Sequence, residues 1–225
     1  MQTTPKAILQ DIKSRLSPNY DLNEAEELSK VLLEDIAGIQ RHQIPLNPKV
    51  ELTNDTKSTL SKAAERLLAN EPIQYITGKS HFYGLEFKLE PGVLIPRPET
   101  EELVDLIIRE HKQHKNLVIA DIGCGSGCIA ISLAPALPNS SITAIDISET
   151  ALAITAENAV SNKVLINTIR LDILTETLPT NTFDIIVSNP PYITNNERKS
   201  MHANVLDHEP ELALFVPDDN PLKFY

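Results

Sequence analysis

The sequence is short of several things, and each shortage narrows what it can be. It has no tryptophan, two cysteines, and 20 bases against 31 acids. Its seven glycines are unevenly placed, three of them falling within residues 123–127. No apolar run approaches the roughly 20 residues that span a bilayer. The opening MQTTPKAILQDIK lacks an apolar export signal. These absences point to a cytoplasmic protein with no membrane partner. Cys124 and Cys128 have no histidine cluster beside them, so they read as small buried thiols, and no metal site is expected. The formal net charge is −11. Both halves are acidic, so neither offers the basic face that gripping a duplex calls for, and no direct nucleic-acid partner is expected.

What is present falls into two regimes. At 225 residues, with 41% apolar and 23% charged side chains, the chain allows one large domain or two modest ones. Residues 1–75 read as a small helical bundle suited to docking a partner. TPKAILQDIKSRL puts Ala7, Ile8, Ile12 and Leu16 on one helical face. NEAEELSKVLLEDIAG starts at Asn23 as N-cap with Glu26 three residues on, a capping-box pattern, and stops at Gly38. DTKSTLSKAAERLLAN supplies a third amphipathic helix over 55–70. Residues 76–95 read as a linker, because HFYGLEFKLE alternates around Gly84 as a hairpin does. In the stretch after it, Thr100 can cap a helix over 101–111. Residues 96–225 form the second domain, and from 116 strands and helices alternate as βαβαββ. The strands are nearly continuous apolar runs, which indicates a parallel sheet flanked by helices.

ADIGCGSGCIA (120–130) places Gly123, Gly125 and Gly127 between a strand and a helix, where backbone can approach a ligand closely. Asp146 ends the next strand and can accept from both hydroxyls of a ribose. A dinucleotide loop is spaced G-x-G-x-x-G, whereas this one is G-x-G-x-G and follows Asp121. A carboxylate there is awkward beside a pyrophosphate and suits a cationic ligand such as the ammonium of S-adenosyl-L-methionine. A glycine-rich turn in an unrelated α/β protein is the plainer alternative. Asp172 or Ile173, after the third strand, can line a base pocket.

The fourth strand ends in SNPPYI (188–193). Two prolines end sheet pairing abruptly. The chemistry that fits is capture of a planar NH₂ group. Asn189 Oδ1 and the Pro190 carbonyl accept its two hydrogens, and Tyr192 offers a flat face for stacking. Such a nitrogen is a poor nucleophile, so the rate comes mainly from alignment with the methyl donor.

QYITGKSHFYGLEF, VLIPRPETEELV, DIGCGSGCIAISLA, IVSNPPYI and HEPELALF, in that order, resemble the peptide chain release factor N5-glutamine methyltransferases, the PrmC/HemK family. The resemblance implies an α/β fold of the class I S-adenosyl-L-methionine-dependent methyltransferases, Rossmann-like, preceded by the helical bundle. It implies methylation of the glutamine in the GGQ motif of release factors, in translation termination. Matched position by position, Gly123, Cys124, Gly125, Ser126, Gly127, Asp146, Ile173 and Asn189 hold the cofactor. Asn189, Pro190, Pro191 and Tyr192 hold the glutamine, with Asn189, Pro190 and Tyr192 catalytic. Arg97 and Thr100 lie near the cofactor's methionine end. A complete sheet of this class has more strands than the four legible here, so the fold is expected to be C-terminally truncated with an exposed apolar edge. Two other readings stay open: an adenine-specific nucleic-acid methyltransferase, since NPPY also occurs there, and a truncated, non-catalytic chain that binds cofactor or partner only.

Overall fold

A computed structural model describes residues 2–178 and 183–225. The chain divides into two compact units, Met1–Thr77 and Gly78–Tyr225. The first is helical: α1 (Pro5–Leu16), α2 (Leu22–Asp35), α3 (Gln43–Leu46), α4 (Asn54–Leu68) and α5 (Ile73–Thr77). Ile12, Leu16, Leu32, Leu60 and Leu67 pack with small alanines into one core. Pro5 is buried at the start of α1 and Ala7 faces solvent, so the buried face begins two residues earlier than the apolar spacing indicates. The N-cap of α2 is Asp21, not Asn23. Its Oδ1 accepts from Asn23 N at 2.8 Å and Glu24 N at 2.9 Å. A carboxylate facing the positive end of a helix is a better acceptor than an amide. Glu26 is therefore not a capping residue and pairs instead with Lys13 and Lys30. Gly38 does end this segment, with φ of 66°.

The second unit opens with a hairpin, β1 (Lys79–Phe82) and β2 (Leu85–Lys88), which belongs to this unit. Its two turn residues, Tyr83 (φ 49°) and Gly84 (φ 74°), are both left-handed, as a tight turn matched to strand twist requires. Then come α6 (Thr100–His111), β3 (Val118–Ile122), α7 (Cys128–Ala136), β4 (Ser141–Asp146), α8 (Glu149–Ser161), β5 (Asn167–Arg170) and β6 (Ile185–Ser188). Beyond them lie β7 (Ile193–Thr194), α9 (Ala203–His208), α10 (Glu211–Leu214) and β8 (Phe215–Val216).

The central sheet is parallel, in the order β5-β4-β3-β6. From β3 the chain moves outward through β4 to β5 and then returns to pair β6 on the other side of β3. This reversal opens a crevice at the carboxyl ends of β3 and β6, where ligands bind in open α/β sheets. Ser188 Oγ donates to the Ile122 carbonyl at 2.8 Å and ties those two strand ends together. On one face of the sheet Phe82, Phe87, Val104, Ile119, Ile131 and Leu133 share a core. On the other, Ala120, Ile145 and Leu171 form a smaller cluster. Ile186 on β6 is 58% exposed between the buried Ile185 and Val187.

Gly127 shows how tightly this unit is packed. Its φ is 79°, and a Cβ there would sit 2.8 Å from Thr155 Cγ2 and 3.0 Å from Ile131 Cδ1. Gly127→Ala is expected to lower unfolding free energy by about 2–3 kcal/mol, from left-handed strain plus overpacking. A urea titration of both proteins checks this, and an unchanged midpoint would contradict the packing described.

Candidate active site

A cavity of about 300 Å³ opens at the carboxyl edge of the sheet. Several separate segments of the second unit build it. The loop after β3 contributes Gly123 through Ser126, β4 contributes Asp146, and the segment after β5 contributes Asp172 and Ile173. The end of β6 contributes Ser188, Asn189, Pro190 and Pro191. Residues 92–97 with Thr100 form a further wall. Two of the expected residues stand off it. Gly127 is not on the wall, and its need for glycine comes from Thr155. Tyr192 is likewise outside it, 60% exposed to solvent.

The glycine loop is held from several directions. Gly123 N and Cys124 N both donate to the Ile145 carbonyl, at 2.8 and 3.1 Å. Asp146 Oδ2 accepts from Gly125 N and Oδ1 from Ser148 N, each at 2.9 Å. Each carboxylate oxygen keeps a further lone pair for a ligand hydroxyl. Gly123 and Gly125 have φ of 72° and 56°, and a Cβ on either would meet no atom within 4 Å. Their glycine requirement is therefore conformational, and the space they leave is open.

Two residues of α8 secure the loop from behind, and sequence reasoning missed both. Thr155 Oγ1 donates to the Gly125 carbonyl at 3.1 Å. The fully buried Asn158 donates Nδ2 to the Ser126 and Lys88 carbonyls and accepts from Lys88 N at 2.7 Å. That amide joins the loop to the hairpin. The available signal was a threonine and an asparagine on the apolar face of ETALAITAENAVS.

The wall before α6 also differs from expectation. Thr100 makes no cap; it is the first helical residue, and Glu99 occupies the N-cap position without a side-chain bond. The Thr100 hydroxyl instead accepts from Asn189 Nδ2 at 3.2 Å. Arg97 bonds both oxygens of Glu209, at 2.7 and 2.8 Å. The Glu209 side chain is 2% exposed, so this pair pins the loop before α6 to the segment that supplies Pro210 and Ala213 to the cavity. Asp172 closes its own turn, accepting from Leu174 N and Thr175 Oγ1.

Asp121 has no exposed surface, so it does not reach the cavity where a ligand's cationic end would lie. Its Oδ2 accepts from Ala130 N in the first turn of α7 at 3.1 Å, and Oδ1 has no partner among the described residues. Burial, aided by the Asp146 charge, raises its pKa from 3.8 to about 7. An acid raised in this way binds a proton in the folded state that the unfolded chain has already released. Its contribution is thus favourable below the unfolded pKa and is lost as pH rises toward about 7. Asp121→Asn is expected to flatten the fall in stability across that window, read from denaturation midpoints at several pH values. An unaltered slope would contradict the assignment. Burial likewise pushes the Cys128 thiol up to about 12 and that of Cys124 well above its ordinary value, so both are held as inert thiols. No cluster of metal-ligating side chains occurs among the described residues, and none of the helices described is long and apolar enough to cross a membrane.

Residues 87–212 match the Methyltransferase small domain family, and residues 7–78 match the PrmC N-terminal domain. The release factor glutamine methyltransferase of Flavobacterium psychrophilum is 47% identical over 213 residues, covering 93% of this chain and 75% of the relative. The release factor glutamine methyltransferase of Bacteroides thetaiotaomicron is 46% identical over 215 residues, covering 95% of this chain and 77% of the relative.

Proposed function

The chain belongs to the release factor glutamine methyltransferase family, whose enzymes depend on S-adenosyl-L-methionine, and from that premise we propose how its cavity works and on what. The acceptor is the side-chain amide nitrogen (N5) of the glutamine in the GGQ motif of a peptide chain release factor, and the reaction accordingly belongs to the cytoplasm.

One observation carries this reading. Asn189 and Pro190 line the same cavity as the glycine loop and Asp146, although they come from opposite sides of the topological reversal. The cavity suits the cofactor: Asp146 offers lone pairs to two ribose hydroxyls, the glycine backbone leaves open space, and Ile173 gives an apolar surface for a base. When bound, S-adenosyl-L-methionine supplies an electrophilic methyl on a sulfonium. The chain's own residues do the rest. Asn189 Oδ1 and the Pro190 carbonyl accept the two N–H bonds of the incoming amide and point its nitrogen at the methyl. Proline suits that second role because its fixed φ sets the carbonyl direction and it has no N–H to satisfy. Tyr192, outside the cavity wall, meets the glutamine from the solvent side. No strong base is needed in advance, since the proton becomes acidic as the new bond forms. Alignment of this kind contributes roughly 7–11 kcal/mol in well-oriented systems. The helical unit, over which the PrmC N-terminal domain matches, docks the body of the release factor.

Incubation with methyl-labelled S-adenosyl-L-methionine tests the substrate class. Label is expected on a release factor and lost when its GGQ glutamine is replaced by alanine. Label on adenine-containing DNA alone would overturn the reading, as would cofactor binding with no transfer to any release factor.

A further inference from the structure

An asparagine amide is flat and can be seated in two ways related by a half-turn. One presents the oxygen to a ligand and the other presents the NH₂ group. For a substrate that offers N–H bonds, only the first can work, because the second sets donor against donor. The Asn189 amide must therefore be held steady in the first seating while the substrate binds.

Asn189 Nδ2 donates to Thr100 Oγ1 at 3.2 Å, a contact that bridges 89 residues of sequence. Both residues line the cavity. Thr100 is 9% exposed, so water competes little for its hydroxyl. The backbone that carries it is well held. Thr100 N donates to the Arg97 carbonyl at 3.0 Å, and the Arg97 guanidinium grips the buried Glu209. Among the described residues, no protein group donates to Asn189 Oδ1, which leaves that atom for a ligand.

We propose that Thr100 is a positioning residue for methyl transfer: its hydroxyl accepts from Asn189 Nδ2 and so steadies the amide at the cavity wall with Oδ1 open to the substrate nitrogen. This rests on the reading of the acceptor as a planar NH₂ group. It accounts for a threonine at a helix start that caps nothing. In this role Thr100 acts through Asn189.

The test compares Thr100→Val, which keeps the shape and removes the hydroxyl, with Thr100→Ser, which keeps the hydroxyl. With a release factor as acceptor, Thr100→Val is expected to lower kcat about 5- to 10-fold, the scale of one net hydrogen bond. The dissociation constant for S-adenosyl-L-methionine should change far less than kcat. Thr100→Ser should recover most of the loss, and in an Asn189→Ala background Thr100→Val should cost nothing further. A second readout needs neither cofactor nor substrate. In nitrogen–proton correlation spectra of the free protein, the Asn189 side-chain pair, identified by its disappearance in Asn189→Ala, should move in Thr100→Val and stay in place in Thr100→Ser. Parental turnover in Thr100→Val, or an unmoved Asn189 pair, overturns the proposal. So does a loss in Thr100→Ser equal to that in Thr100→Val. Failure of the parent protein to methylate a release factor would instead refute the substrate assignment, and the spectra would still decide the role of Thr100.

Discussion

Asn189→Ala is expected to lower kcat for transfer to a release factor about 10³-fold, while S-adenosyl-L-methionine binds within about threefold of the parent affinity. Three losses combine. The substrate amide loses the acceptor for one N–H. Its nitrogen is then free to swing away from the methyl, which forfeits part of the orientation on which the reaction depends. Thr100 is left facing a void where Nδ2 had been. A 10³-fold fall corresponds to about 4 kcal/mol of lost transition-state stabilisation, more than one neutral hydrogen bond supplies, because alignment goes with it. The cofactor should be little affected, since Asp146 and the glycine loop make their bonds to one another and none of them passes through Asn189. Single-turnover kinetics combined with calorimetric titration separates the two quantities. A parental kcat in this variant would remove Asn189 from the chemistry.

Asp146→Ala is expected to show the opposite division. Cofactor affinity should fall about 10²- to 10³-fold, the sum of two charge-assisted hydrogen bonds to ribose hydroxyls. At saturating cofactor, kcat should stay much closer to the parent value. The same carboxylate also holds Gly125 N and Ser148 N, so its removal loosens the loop as well as the ribose grip. Asp146→Asn should fall between the two, because one oxygen remains to accept while the new NH₂ opposes one of the two backbone donors. An affinity unchanged in Asp146→Ala would mean that the sugar is held elsewhere in the cavity.

The features that could be read from sequence are those whose partners are near in sequence or fixed by period. The alternation of apolar strands with helices gives the parallel sheet, and G-x-G-x-G followed by Asp146 falls at adjacent strand ends because successive parallel strands deliver their loops to one edge. The hairpin was legible because Gly84 supplies a left-handed turn residue. Contacts that join distant segments were not legible. Arg97 and Glu209 lie 112 residues apart, and Lys88 and Asn158 lie 70 apart. Nothing in either local pattern says that an arginine in PRPETE will be neutralised by a buried glutamate in HEPELALF. Thr100 misled for a related reason. A threonine at a helix start reads as a cap, and only the fold shows its hydroxyl turned to Asn189. Asp21 and Asn23 are both good caps two residues apart, and the choice between them rests on a modest difference in acceptor strength that periodicity does not report.

Methylation of a planar amide nitrogen in this cavity can be read by fragmentation mass spectrometry of a release factor after incubation with the enzyme and S-adenosyl-L-methionine. A single added methyl is expected on the side-chain nitrogen of the GGQ glutamine. A methyl found on a carboxylate, a lysine or any other residue, with that glutamine unmodified, would contradict it.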